Sequence, residues 1–212
     1  YPAEFMAAVL TTEMGNTDKI VGAVAECRRL GIPVLPPDVN LSERGFTVER
    51  DPDGRLAIRY GLSAIKNVGE GVVQAIVAAR AGQPDGRFAG LDALCAAVDA
   101  NLLNKRVLES LIKAGACDSL GPRATLLAAV DRAMALGQAA QKAAKVGQLG
   151  LFGAVEAAPA LTLDDAPALP ERTLLAWEKE HLGIYVSAHP LARLRGAAGA
   201  GPSLAALTPE RA

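Results

Sequence analysis

The chain has 212 residues, enough for one large or two small domains; half are hydrophobic, only 4% are aromatic, and the formal net charge is -1. That balance does not announce a nucleic-acid binder held by overall charge, and the lack of a long apolar run excludes a membrane-spanning helix. Cys27, Cys95 and Cys117 are dispersed and odd in number, which excludes a CxxC zinc site or a disulfide framework and points to a reducing, cytoplasmic setting.

Residues 1–31 read as two helices. Pro2 suits a first helical turn and Ala3 to Thr12 favours helix. Met14-Gly15-Asn16 breaks it, Thr17 is the expected cap of the next helix, and Gly31 its C-cap. The proline-rich run Ile32 to Asp38 must be extended or turned. Phe46 to Val48 and Leu56 to Tyr60 flank Asp51-Pro-Asp-Gly54, the pattern of a small β-hairpin. From 61 to about 146 the pattern is helical again, with a loop at 82–90 and an Ala-rich helix from Ala124 that ends at Gly147. Residues 153–172 are rich in Ala, Pro and Asp, as a partly flexible linker would be. Thr173 to Tyr185 forms a last helical stretch, with Trp177 expected as its core anchor. The fold class expected is mainly α with a small β element.

The segment Gly61-Leu-Ser-Ala-Ile-Lys-Asn-Val-Gly-Glu-Gly71 places a glycine-punctuated turn between two apolar stretches read as helical. That is the layout of a helix-hairpin-helix element. Its small residues permit positive φ and close approach of a phosphate. The helix behind it aims unsatisfied N–H groups and its positive dipole end at that phosphate. The expected contacts are the N–H groups of Val68, Gly69 and Gly71, with Lys66 and Asn67 alongside. Leu102 to Ala116 reads as a second, more degenerate unit, with Asn104 as N-cap and Lys105 and Arg106 in the first turn. Cations there oppose the helix dipole, a placement that makes sense if they face phosphate. The alternative is an exposed amphipathic helix with ordinary surface cations. Residues 101–150 hold seven cationic and three acidic side chains, whereas 151–180 hold two and six, which fits a binding face followed by a solvated linker.

Six motifs carry a wider resemblance: Tyr1-Pro-Ala-Glu-Phe-Met6, Leu35-Pro-Pro-Asp-Val-Asn40, Gly61 to Gly71, Leu103-Asn-Lys-Arg-Val-Leu-Glu109, Ala114-Gly-Ala-Cys-Asp118 and Trp177 to Leu191. In order and spacing they resemble the C-family replicative DNA polymerases, the alpha subunits of bacterial DNA polymerase III, over residues 1 to about 194. The resemblance implies a C-terminal fingers segment with its β-hairpin at 1–60 and a tandem helix-hairpin-helix module at 61–121. The Ala-rich helix at 122–147 would lead to a clamp-binding peptide at 148–152 and the linker, and 173–212 would lead towards an OB-fold. Gln148, Leu149, Leu151 and Phe152 fit a Gln-x-x-Leu-Phe anchor, in which Leu151 and Phe152 fill an apolar pocket and Gln148 sits at its edge. Gly150 is smaller than the residue usual at its position.

In such a polymerase Arg28 and Arg29 are candidates for contact with the incoming nucleotide, although both also suit the end of a helix. No carboxylate pair here suits two-metal chemistry, because Asp51 and Asp53 lie in a turn and Asp164 and Asp165 in the linker. The chain therefore reads as an internal fragment that is inactive alone and binds no cofactor, with palm carboxylates upstream and Mg2+ serving the parent enzyme. Its expected partners are primer-template duplex DNA, the sliding clamp and other replisome subunits, in the nucleoid-containing cytoplasm and not at a membrane. Rival readings are the error-prone alpha-type polymerase, a non-catalytic repair scaffold with tandem hairpins, and a purely structural helical adaptor.

Overall fold

The computed structural model describes residues 1–147, 161–164 and 166–187. It is mainly helical. Helices α1 (Pro2–Thr12) and α2 (Thr17–Arg29) pack against each other through Met6, Leu10, Ile20 and Val24, all buried. The cap of α2 is Asn16, whose side chain accepts from the Lys19 N–H at 3.2 Å, and not Thr17, which is already the first helical residue. An N-cap must be extended while its side chain turns back, and Asn16 sits at φ -128° and ψ 100°. At the other end Leu30 is the cap and Gly31, at φ +72°, lies one residue beyond it. Gly31 and Ile32 donate to Arg28 O and Cys27 O, a Schellman closure that requires the left-handed position.

The β element is larger than a hairpin. Strands β2 (Thr47–Arg50) and β3 (Leu56–Arg59) pair antiparallel around the Asp51–Gly54 turn, and β1 (Val34–Leu35) adds in parallel on the other side of β3. The prolines on either side of Val34-Leu35 hid this strand. The run is too short to show alternation, and its pairing partner lies more than twenty residues away.

After β3 comes a single 3-10 turn, Leu62–Ala64, then α3 (Glu70–Ala81), α4 (Leu91–Ala97), α5 (Lys105–Lys113), a second 3-10 turn at Asp118–Leu120, α6 (Arg123–Gly147) and α7 (Glu171–Leu182). The first limb of the first hairpin is thus one 3-10 turn and not the helix its apolar residues suggested. Leu62 and Ile65 are buried in the common core, and that packing favours the tight turn over a longer helix. One apolar core runs from α1 to α7, including Tyr60, Ile76, Leu94, Leu108, Leu111, Leu126 and Leu182.

Buried polar groups tie the sheet to the helices. Arg80 on α3 is 8% exposed; it donates to Val39 O and Ser42 O and pairs with Glu43. Asn40 exchanges hydrogen bonds with the Phe88 backbone, and Asp38 accepts from the Ser119 hydroxyl at 3.0 Å. Tyr60 stacks edge-on to Phe46 and donates to Leu182 O at 2.9 Å, and burial raises its phenol pKa.

Two expectations for the C-terminal part change. The described end of the linker is docked: Leu161 and Leu163 pack against the core, Leu161 N–H donates to Asp92, and Arg132 on α6 binds both Thr162 O and Asp164. Trp177 is only half-buried, with the Lys113 ammonium 5.9 Å from its ring, while Leu175, Glu178, His181 and Leu182 form the buried side of α7.

Candidate nucleic-acid interface

The first hairpin turn begins with a backbone feature that no glycine supplies. Asn67 has φ +68°, and among the described residues it is the one non-glycine in the left-handed region. Asn is the side chain that tolerates this region best after Gly, because its amide bonds locally. Here both ends of the amide are used: Nδ2 donates to the Ser110 hydroxyl at 3.3 Å, and Oδ1 accepts from Arg106 at 2.9 Å. Gly69 and Gly71, expected to supply positive φ, do not. Gly69 is the extended N-cap of α3 at φ -77°, and Gly71 lies inside the first helical turn.

The donors of the turn also differ in detail from expectation. The Val68 N–H is taken by Ile65 O at 3.1 Å, and the Val68 side chain is buried. The α3 ladder starts with Val73 N–H to Gly69 O. The N–H groups of Glu70, Gly71 and Val72 thus precede any intrahelical partner, and Gly69 offers no capping side chain. Gly69 and Glu70 are exposed, and a Cβ built on Gly69 would meet nothing within 4 Å. A helix end with free donors, positive dipole and no side-chain cover is the geometry that accepts an anion.

The second turn abuts the first. Asn104 caps α5 by accepting from Val107 N–H at 3.1 Å, as its position in the sequence suggested. Arg106 reaches from the first turn of α5 to Asn67, so the two turns are joined by a direct hydrogen bond. Lys105 is tied to Asp131 on α6, with contacts of 2.7 and 2.9 Å; the hydrogen bond raises its pKa. Both partners are exposed, so this pair contributes little to stability and can exchange. Lys66 is exposed; its backbone N–H donates to His181 O at 2.9 Å, which fastens α7 beneath the first turn. Burial lowers the His181 pKa, a shift opposed by Glu180 and reinforced by Lys113 and Lys66.

One cation at this face was missed from sequence. Arg44, in the loop before β2, pairs at 2.7 Å with Glu70, the first residue of α3. An acid at that position suits the helix dipole, yet nothing in the sequence identifies which distant cation would meet it. Arg28 and Arg29 lie apart from this face. Arg28 donates to Tyr185 O at 2.6 Å, and Arg29 forms a two-point pair with Glu26 one turn back. Gln148, Leu149, Leu151 and Phe152 lie outside the described residues.

No group of three or more His, Cys, Asp or Glu among the described residues could hold a metal ion. The three cysteines are buried and unpaired, and burial pushes the Cys95 thiol up to about 12. Among the described residues no helix is long and apolar enough to cross a membrane.

A model of the helix-hairpin-helix motif matches residues 31–126, a range that holds both turns and the sheet beneath them. The chain is 46% identical over 195 residues to the DNA polymerase III subunit alpha of Vibrio cholerae, covering 90% of this chain and 16% of that protein. It is 44% identical over 195 residues to the subunit of Escherichia coli, with the same shares. Over this stretch the chain is similar to the DNA polymerase III alpha subunits. The Thermus aquaticus subunit, 44% identical over 196 residues, is matched over 92% of this chain and 15% of its own length. The chain thus spans about one-sixth of the length of the curated relatives it matches. Both joined turns lie within the range that the helix-hairpin-helix model matches.

Proposed function

We propose that this segment grips duplex DNA through backbone phosphates, as part of a DNA-directed DNA polymerase acting in chromosome replication. The observation that carries the reading is the joined pair of turns: free N–H groups of Glu70, Gly71 and Val72 with Arg106 fixed beside them by Asn67. Contacts of this kind position a duplex without reading its bases. Lys66, Asn67, Gly69, Gly71, Asn104, Lys105 and Arg106 form or hold the grip; Val68 contributes by packing. The catalytic carboxylates and the Mg2+ they bind belong to other parts of the parent enzyme, and Arg28 and Arg29 are the candidates for nucleotide contact from the fingers-like part at 1–60. The similarity to the DNA polymerase III alpha subunits supports this reading. The duplex is taken up in the cytoplasm, beside the other replisome subunits.

Gly69→Ala tests the grip. The added methyl meets open space at an ordinary φ, and Ala caps a helix less well than Gly by about 0.5–1 kcal/mol, so the melting temperature should fall by about 1–4 °C. Where a phosphate must approach the backbone, the same methyl is in the way. Affinity for a labelled DNA duplex, read by fluorescence anisotropy, should fall about tenfold, the equivalent of one lost charge-assisted hydrogen bond. Affinity should also fall steeply with salt. Flat binding across a salt titration, or equal affinity for Gly69→Ala, would count against the reading.

The same reading assigns Gln148-Leu-Gly-Leu-Phe152 as a tether to the sliding clamp, supported by its Gln-x-x-Leu-Phe spacing directly after α6. Calorimetric titration against a bacterial clamp should give binding that Phe152→Ala abolishes. Equal heats from both forms would remove the tether.

A further inference from the structure

We infer that the DNA-facing turns are held electrostatically closed by two of the chain's own carboxylates, Glu70 and Asp131, which occupy the cations Arg44 and Lys105 until backbone phosphates replace them. The inference rests on the duplex-gripping reading and adds to it Arg44 as a phosphate contact, with the carboxylates of Glu70 and of Asp131 on α6 as competitors of the phosphates.

Three contacts carry it. Each turn presents one cation tied to one exposed acid: Arg44 to Glu70 at 2.7 Å on the first, Lys105 to Asp131 at 2.7 Å on the second. All four side chains are more than half exposed, so neither pair is part of the core, and neither is needed for folding. The turns are adjacent, because Arg106, next to Lys105, bonds to Asn67, three residues before Glu70. Arg44, Glu70, Asn67, Arg106, Lys105 and Asp131 therefore form one continuous strip. Within it the cations other than Arg106 already have an anion.

Binding is then an exchange. A phosphate oxygen takes the place of a carboxylate oxygen on Arg44 or Lys105, and the released carboxylate turns to water and takes up a counterion. Each exchange gives less than a bare cation would, and a carboxylate remains close to the phosphate it displaced. The grip is consequently weak per contact and easily reversed, which suits a surface along which a duplex must advance. It also accounts for how a chain with a net charge of -1 presents a phosphate-binding face without an overall basic surface.

The test uses the full 212-residue chain and a fluorescein-labelled DNA duplex in an anisotropy titration at several salt concentrations. Glu70→Gln and Asp131→Asn should each tighten binding about two- to fivefold at low salt, the equivalent of one exposed charge pair, with the gain shrinking as salt rises. The salt dependence should become steeper in both, by up to about one phosphate equivalent. Arg44→Ala should cancel the gain of Glu70→Gln, and Lys105→Ala that of Asp131→Asn, as coupling within each pair requires. Asp53→Asn changes net charge equally at an exposed position in the β2–β3 turn, and should leave affinity unchanged. Binding by the unmodified chain with no gain in either variant, or an equal gain in Asp53→Asn, overturns the exchange. Failure of every form to bind duplex overturns the gripping reading itself and the exchange with it.

Discussion

Glu178→Gln is expected to destabilise the chain by about 3 kcal/mol, at the lower end of the cost of breaking a buried ion pair. Glu178 is 2% exposed, on the buried side of α7. One carboxylate oxygen accepts from Arg123 at 3.3 Å; the other accepts from the N–H groups of Val186 and Ser187 at 3.0 and 3.1 Å. All three partners are donors. A glutamine amide has one acceptor end, so its NH2 must face either the guanidinium or the two backbone N–H groups, donor against donor. The cost stays near the lower end because Arg123 keeps its two-point pair with Asp118. Trp177, the one tryptophan of the sequence, sits on the same helix beside Lys113 and reports on it directly. The melting temperature followed by Trp177 fluorescence should drop by roughly 10 °C. A drop below about 2 °C would mean that the carboxylate does not hold α7 and the chain beyond it.

Gly137→Ala is the second large effect, and two physical arguments oppose each other there. Gly137 lies in the interior of α6, where Ala is favoured over Gly by about 1 kcal/mol on propensity alone. Its Cα, however, faces the end of α4. A Cβ at this position would come within 2.5 Å of Cys95 O, 2.6 Å of Cys95 C and 2.7 Å of Cys95 Cβ. Two of the three are backbone atoms, which cannot rotate away as a side chain would. The same carbonyl accepts from Gln141 at 3.0 Å, and Gln141 also holds Val98 O at 2.7 Å, so pushing α4 off α6 loses both caps at its C-terminus. Overpacking of about 1–3 kcal/mol plus the lost hydrogen bonds outweighs the propensity gain. The net expectation is a loss of about 2 kcal/mol, seen as a lower urea midpoint at unchanged slope. A higher midpoint would mean that α4 can shift freely. Because α4 leads into the second turn, the variant should also weaken duplex binding.

The limits of reading this chain from its sequence follow the range of the interactions involved. Helices α1, α2, α5 and α6 were legible from helical spacing and end signals, since a cap is a bond over a few residues: Asn104 caps α5 as expected. The α2 start was off by one residue because Asn16 and Thr17 are both good caps, and only the chain's approach direction chose Asn16. The glycine pattern of 61–71 located the turn and its family, and with it the anion-accepting end of α3. It assigned the strained position to glycine, however, whereas Asn67 carries it, held there by Ser110 and Arg106 from α5.

What the sequence by itself determined is the local grammar: where helices start and stop, where the β-turn falls, and which two turns carry the helix-hairpin-helix pattern. Those features depend on contacts between near neighbours, whose chemistry is written in the order of the residues. What only the tertiary structure decided is everything that joins distant segments: β1 beside β3, one 3-10 turn in place of a helix before Lys66, and the 161–164 segment lying against α6. The pairing of Arg44 with Glu70 and of Lys105 with Asp131 is of the same kind. Any exposed acid can neutralise any exposed cation, so no spacing in the chain selects the partner, and packing of the shared core brings these particular charges together.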